Sequence, residues 1–134
     1  MWQYFNPNPI KKRIGDCTVR AISIATGMNW EDTYTALALQ GFLMCDMPSS
    51  NIVWGTYLKK KGFNRYPMPE SEEVITVSDF CKMFPEGIYI LALETHVVTC
   101  INGDYFDTWD SGDEMPIYYF YKENVNERKE NENV

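Results

Sequence analysis

The spacing of apolar residues changes near Gly87, from a helical period before it to a strand pattern after it. Before Gly87, apolar side chains recur three or four positions apart in segments that begin at Asp, Asn, Ser or Thr, which predicts amphipathic helices. After it, short runs of β-branched and aromatic residues alternate with turn residues, which predicts strands. Helices followed by an antiparallel sheet form an α+β fold.

The pattern predicts four helices and four strands. The helices are predicted to begin at Cys17, at Trp30, after Ser49 or Ser50, and after Thr76 or Ser78, and the first three to end at Gly27, Gly41 and Gly62. The strands are predicted at 88–93, 97–101, 105–109 and 117–121. Residues 1–14 contain two Asn-Pro pairs and a basic turn, so we expect an extended arm that lies over the domain.

The length and composition predict one domain. The chain has 134 residues, of which 45% are hydrophobic, and this is enough to bury a core. Residues 1–122 are predicted to form that domain, whereas the Asn-, Glu- and Lys-rich segment 123–134 is predicted to be a solvated polar tail.

Charge and hydropathy limit the partners. A net charge of −7 argues against nucleic acid, because phosphate contacts need clustered Lys and Arg. No apolar run approaches the ~20 residues that cross a bilayer, and the first residues do not resemble a secretory signal. We therefore expect a soluble, cytoplasmic protein that does not bind membranes, with its four cysteines reduced. With one histidine and no Cys-x-x-Cys pair, neither a metal nor an organic cofactor is expected.

The candidate chemistry centres on a thiol and an imidazole. Cys17 follows the potential N-cap residue Asp16, and a thiol at a helix N-terminus beside an imidazolium is held as the nucleophilic thiolate. His96 is the single histidine, so any such imidazole must be His96. Its position before an apolar strand makes it the candidate base.

A hairpin is predicted to bring a carboxylate to His96. Asn102-Gly103 is typical of a two-residue type I′ turn, whose register would place Asp107 diagonally beside His96. A three-residue turn would favour Asp110 instead. Cys100 shares the His96 face by strand alternation; we expect it to be a core residue, with the role of nucleophile as its alternative, second to Cys17.

Three motifs together resemble the papain-like cysteine peptidase superfamily, most closely its small phage and bacterial members. They are Gly-Asp-Cys-Thr-Val-Arg-Ala-Ile at 15–22, His-Val-Val at 96–98 and Asp-Thr-Trp at 107–109. The last pair of motifs is also similar to the His-then-Asp hairpin of bacteriocin-leader peptidase domains. The first resembles the nucleophile helix of ovarian-tumour-type deubiquitinases, although their longer Asp-Gly-Asn-Cys motif is missing.

The resemblance implies a papain-like fold in which helices carrying Cys17 pack on a sheet carrying His96 and Asp107. It implies hydrolysis of a peptide or amide bond in a peptide or protein substrate. Cys17 would be the nucleophile, His96 the proton carrier and Asp107 the residue that orients the ring, while Trp109 would shield their hydrogen bond. Two alternatives are a papain-fold binding or inhibitory protein without turnover and an acyltransferase that forms a thioester.

One position departs from the family pattern. Papain-type enzymes place a Gln six residues before the cysteine to donate to the oxyanion, and here that position is Lys11. Because an oxyanion donor lowers the barrier by ~2.7–4 kcal/mol, a peptidase must supply it otherwise. We expect it from the arm, from Gln3, Asn8 or Lys11, together with the Cys17 backbone N–H.

Overall fold

The computed structural model describes residues 1–123, and in this part of the chain it contains four helices and one six-stranded sheet. The helices are α1 (Cys17–Thr26), α2 (Trp30–Leu43), α3 (Asn51–Lys60) and α4 (Val77–Met83). The strands are β1 (Trp2–Tyr4), β2 (Asn64–Pro67), β3 (Ile88–Ala92), β4 (Val97–Ile101), β5 (Asp104–Asp107) and β6 (Tyr118–Lys122). This confirms the α+β prediction. The predicted tail lies, apart from Glu123, outside the described residues.

The four predicted C-terminal strands pair antiparallel as expected, but the complete sheet is mixed, because the unpredicted strand β1 adds a parallel edge. Its strand order is β1-β5-β4-β3-β6-β2, and β1 runs parallel to β5 while the other neighbours are antiparallel. The difference arises because the aromatic start of the arm pairs as an edge strand instead of lying over the domain. The Phe5 backbone N–H donates to the Asp107 carbonyl at 2.9 Å, and the Trp2 indole donates to the same oxygen at 3.1 Å.

The second edge strand, β2, was also not predicted. It pairs with β6 and ends at Pro67. Proline cannot donate a ladder hydrogen bond, and an edge strand tolerates it because one side of that strand has no neighbouring strand. Its short polar sequence, Asn-Arg-Tyr-Pro, does not by itself indicate a strand, and the segment becomes one by pairing with β6. None of the helices within residues 1–123 is long and apolar enough to span a membrane.

Local signals explain most helix boundaries. Gly27 takes the left-handed conformation with φ 74° and ends α1, and Thr76 forms a reciprocal capping box with Asp79 that begins α4. Helix α2 instead continues past Gly41, where its end was predicted. A Cβ at Gly41 would lie 2.7 Å from the carbonyl oxygen of Asp46, so this glycine permits close approach of the following loop.

The sheet has a hydrophobic cluster on each face, since successive strand residues enter different clusters. One cluster joins the sheet to the first three helices, and it includes Ile22, Leu37, Trp54, Leu58, Phe63 and Phe120. The other joins the sheet to α4 and includes Phe80, Tyr89, Leu91 and Tyr105. The Thr99 hydroxyl donates to the Ala21 carbonyl at 2.7 Å and so fixes α1 against β4.

The predicted β4–β5 hairpin is confirmed in turn type and register. Asn102 and Gly103 have φ values of 50° and 87°, as a type I′ turn requires. Ile101 pairs with Asp104, which leaves a two-residue loop. This register places the end of β5 beside the residues that precede β4.

Candidate active site

Cys17 is the first residue of α1, and its half-buried thiol lies close enough to the His96 ring for the ring to act on its pKa. Burial alone would raise the pKa of this thiol. The hydrogen bond and charge of His96, helped by the backbone of Val97, outweigh burial, and the net effect is a pKa below the ordinary thiol value. The site therefore favours the nucleophilic thiolate.

His96 lies just before β4, and its Nε2 is 2.6 Å from Oδ2 of Asp107. Since Nε2 is taken by Asp107, Nδ1 is the ring nitrogen left for the Cys17 thiol. Burial disfavours the imidazolium, but the hydrogen bonds and charges of Asp107 and Cys17 outweigh it and raise the pKa of His96 to about 9. An imidazolium between two anions is the state that this geometry stabilises.

Asp107, the last residue of β5, is 1% exposed and accepts contacts on both carboxylate oxygens. Oδ2 accepts from His96 and from the Ser111 hydroxyl at 2.7 Å. Oδ1 accepts from the Thr108 backbone N–H at 2.8 Å and faces Nη2 of Arg20 at 3.3 Å. Burial would raise the pKa of Asp107, yet the hydrogen bonds from His96 and Ser111 hold it below the usual range. The carboxylate is thus ionised and fixed towards the ring.

The structure brings together Cys17, His96 and Asp107, and it keeps the alternative carboxylate away. Asp110 accepts hydrogen bonds from the Tyr105 hydroxyl and, at 3.0 Å, from the Gly112 N–H. The two-residue turn explains this choice, because it fixes which residue of the second strand lies beside His96.

Trp109 packs against the outer side of the imidazole. Its ring centroid is 5.0 Å from that of His96, the two planes are tilted by 44°, and the side chain is 43% exposed. An indole in this position limits the access of water to the His96–Asp107 hydrogen bond.

The predicted alternative thiol does not share the His96 site. Cys100 is buried in the cluster on the α4 face and contacts Cys81. Its burial agrees with the expected core position, but the expected face was wrong, because β4 begins at Val97 and strand alternation does not extend back to His96. Cys45 is exposed in the loop after α2.

Two buried residues of the site were missed by the sequence reasoning. Arg20 is 7% exposed and contacts both Asp16 and Asp107, and Ser111 is fully buried against Asp107. A signal for Arg20 was present, since an arginine four residues after Asp16 lies on the same helix face. For Ser111 no local signal exists, because its role depends on the path of the loop after β5.

The arm uses one of the three expected oxyanion donors for its own structure, because the Lys11 ammonium donates to the Asn6 carbonyl at 2.9 Å. Asn8 accepts from the Ile10 backbone N–H at 3.1 Å through Oδ1, a contact that does not involve its donor group Nδ2. The third, Gln3, lies in β1 opposite Phe106. Within residues 1–123, Nδ2 of Asn6 is the one buried side-chain nitrogen or oxygen without a hydrogen-bond partner. Asn6 was not among the expected donors.

A cavity of about 200 Å³ lies beside the N-terminus of α1. Asp16 and Thr18, the two neighbours of Cys17, are part of its wall, and the remainder is mostly apolar and includes Ile14, Val19, Trp30, Tyr34, Leu37 and Pro48. The Trp30 and Tyr34 rings stack with centroids 5.1 Å apart. A larger cavity of about 950 Å³ lies near the opposite end of α1, and neither cavity is lined by Cys17, His96 or Asp107.

In the described part of the chain, no group of three or more His, Cys, Asp or Glu side chains is arranged to hold a metal ion. Comparison of the chain with models of protein families, with curated proteins and with solved structures found no match.

Proposed function

We propose that this protein is a papain-like thiol hydrolase that cleaves a peptide or amide bond with Cys17, His96 and Asp107. The observation that carries the proposal is the continuous contact from the Cys17 thiol through the imidazole to the buried Asp107 carboxylate. A partly buried imidazole that lies between a helix N-terminal thiol and an ionised carboxylate matches the nucleophile, base and orienting group of acyl transfer.

Cys17 and His96 account for every bond change and proton transfer of the proposed reaction. The Cys17 thiolate attacks the carbonyl carbon, a C–S bond forms, and the carbonyl π electrons move to the oxygen. As that oxyanion collapses, the C–N bond breaks and the His96 imidazolium gives its proton to the leaving amine. Water then attacks the thioester, His96 takes its proton, and the C–S bond breaks to return the thiolate. Asp107 keeps the ring orientation through both steps.

The cavity beside Cys17 supports a substrate with an apolar side chain. Its wall contains both neighbours of the nucleophile, and its one carboxylate, that of Asp16, is already bound by Arg20 and by the Trp30 indole. A charged side chain would find no free partner there, whereas burial of a leucine-sized side chain is favourable by ~1.5–3 kcal/mol. We therefore infer that an apolar residue next to the scissile bond occupies it.

The proposal is tested by incubating the full chain with a mixed library of peptides and identifying new termini by mass spectrometry. We expect new termini that disappear in Cys17→Ala and in His96→Gln and persist in Cys45→Ala, the exposed-thiol control. Product analysis with and without an added amine separates hydrolysis from transfer, because hydrolysis yields a free carboxyl terminus with water alone whereas transfer requires the amine. Absence of any Cys17-dependent product, with labelling of Cys17 no faster than that of Cys45, would refute the proposal.

A further inference from the structure

Arg20 connects the helix that carries the thiol to the strand that carries the carboxylate. Its side chain is buried, with Nη1 on Asp16 at the start of the same helix and Nη2 3.3 Å from Oδ1 of Asp107. The two carboxylates are far apart in sequence, so one guanidinium joins two elements.

Asp16 is committed to this contact and does not cap its helix. It occupies the N-cap position of α1, yet its side chain makes no capping hydrogen bond. One oxygen contacts Arg20, and the other accepts from the Trp30 indole at 2.9 Å. The carboxylate is thereby held against Nη1 of Arg20, while Asp107 faces Nη2.

The distances show what Arg20 contributes to Asp107. His96, Ser111 and the Thr108 N–H lie 2.6, 2.7 and 2.8 Å from the carboxylate, whereas Nη2 of Arg20 lies at 3.3 Å. The three shorter contacts hold the carboxylate in place. The contribution of Arg20 is therefore mainly its permanent positive charge, acting where water is excluded.

We propose that Arg20 is a positioning residue that acts through Asp107, and that the Asp16–Arg20 pair sets how tightly His96 holds its proton. This rests on the proposed function only in assigning His96 as the proton carrier. A carboxylate shared between two cations stabilises each of them less than it would stabilise one alone. Arg20 thus lowers the affinity of His96 for its proton, and Asp16 partly cancels that effect by neutralising Arg20.

The charged groups around Arg20 determine the sign of each perturbation. The anions are Asp16 and the Cys17 thiolate on α1 and Asp107 on β5, and the other cation is the imidazolium of His96 before β4. The arm and α2 add only uncharged groups, the Ile14 carbonyl and the Trp30 indole. Asp16→Asn removes an anion and leaves Arg20 more positive, so the pKa of His96 should fall. Arg20→Gln removes a cation beside Asp107, so the pKa of His96 should rise.

The experiment is an NMR titration of the full chain, in which the single histidine gives unambiguous ring signals. We expect the midpoint to fall by about 0.5 pH in Asp16→Asn and to rise by about 0.5–1 pH in Arg20→Gln. Arg20→Lys keeps a cation and should restore the midpoint towards the wild-type value. Asp32→Asn and Arg65→Gln change the net charge equally at exposed positions and serve as controls.

A structural role alone would change thermal stability without opposite shifts of the two midpoints. The proposal is overturned if Asp16→Asn shifts the midpoint no more than Asp32→Asn, or if Asp16→Asn and Arg20→Gln shift it in the same direction. Asp16→Asn retains the contact of Arg20 with Asp107, so it decides the matter even where Arg20→Gln does not fold. Because the readout is His96 itself, it is independent of cleavage. Absence of Cys17-dependent products together with Cys17 labelling no faster than that of Cys45 would refute the proposed function alone.

Discussion

Removal of the Asp107 carboxylate should lower the reactivity of Cys17 although the two residues belong to different elements. In the folded chain the pKa of His96 is about 9, against an ordinary value near 6.5. This difference corresponds to about 3 kcal/mol in favour of the imidazolium. The His96 side chain is partly exposed, and Cys17 also contributes, so we assign about 1.5 kcal/mol to Asp107 after allowing for solvent screening.

The expected result follows from that free energy. Asp107→Ala should lower the pKa of His96, because burial then acts with one fewer anion to oppose it. A less stable imidazolium supports less thiolate, and ~1.5 kcal/mol corresponds to about a tenfold slower alkylation of Cys17 by iodoacetamide at pH 6. The rate is measured by peptide mapping, with circular dichroism to establish that the variant is folded.

Asp110→Ala is the matched control, because its carboxylate contacts Tyr105 and Gly112 and not His96. It should leave the alkylation rate within twofold of wild type. Asp107→Asn keeps the size of the side chain and should act in the same direction as Asp107→Ala. If both Asp107 variants react as fast as wild type, or if Asp110→Ala is as slow as they are, the assigned ion pair is wrong.

Three further predictions concern the thiol, the arm and the cavity. Alkylation of wild-type Cys17 should rise with pH through a pKa below that of an ordinary thiol, and the Cys17–His96 ion pair should disappear as the pH rises through about 9. In His96→Gln the thiol stays buried but loses the imidazolium. Its alkylation at pH 6 should therefore fall to the rate of Cys45 or below. Because Nδ2 of Asn6 is buried without a hydrogen-bond partner, we expect this arm residue to supply the oxyanion donor. Asn6→Ala should then lower peptide turnover by ~10²-fold and leave Cys17 alkylation unchanged, and equal turnover would exclude Asn6 as the donor. The chloromethyl ketone of N-acetyl-leucine should alkylate Cys17, with loss of chloride as the C–S bond forms, about tenfold faster than the chloromethyl ketone of N-acetyl-glycine. Val19→Phe fills the cavity and should abolish this preference without changing the iodoacetamide rate. A preference that survives Val19→Phe would place the leucine side chain outside the cavity.

Local chemistry in the sequence was enough to determine several parts of this protein. Helix α1 begins at Cys17 and ends at Gly27, because a left-handed glycine stops a helix regardless of what surrounds it. The Asn102-Gly103 turn determines its own register, since positive φ at two consecutive residues is a local preference. That register selects Asp107 over Asp110, so most of the candidate site could be derived before any tertiary contact was known.

The remaining features depend on contacts between residues far apart in the chain. The arm becomes β1 only because β5 offers it an open edge, and no property of residues 2–4 encodes that partner. Asp16 is a favourable N-cap residue by local preference, yet its carboxylate turns to Arg20 and Trp30, because a buried guanidinium gains more from the charged contact than the helix gains from a cap. Ser111 reaches Asp107 through the path of a loop. Turn and helix-end preferences act over a few residues and can be derived from sequence, whereas the shared burial of charges depends on how the whole chain packs.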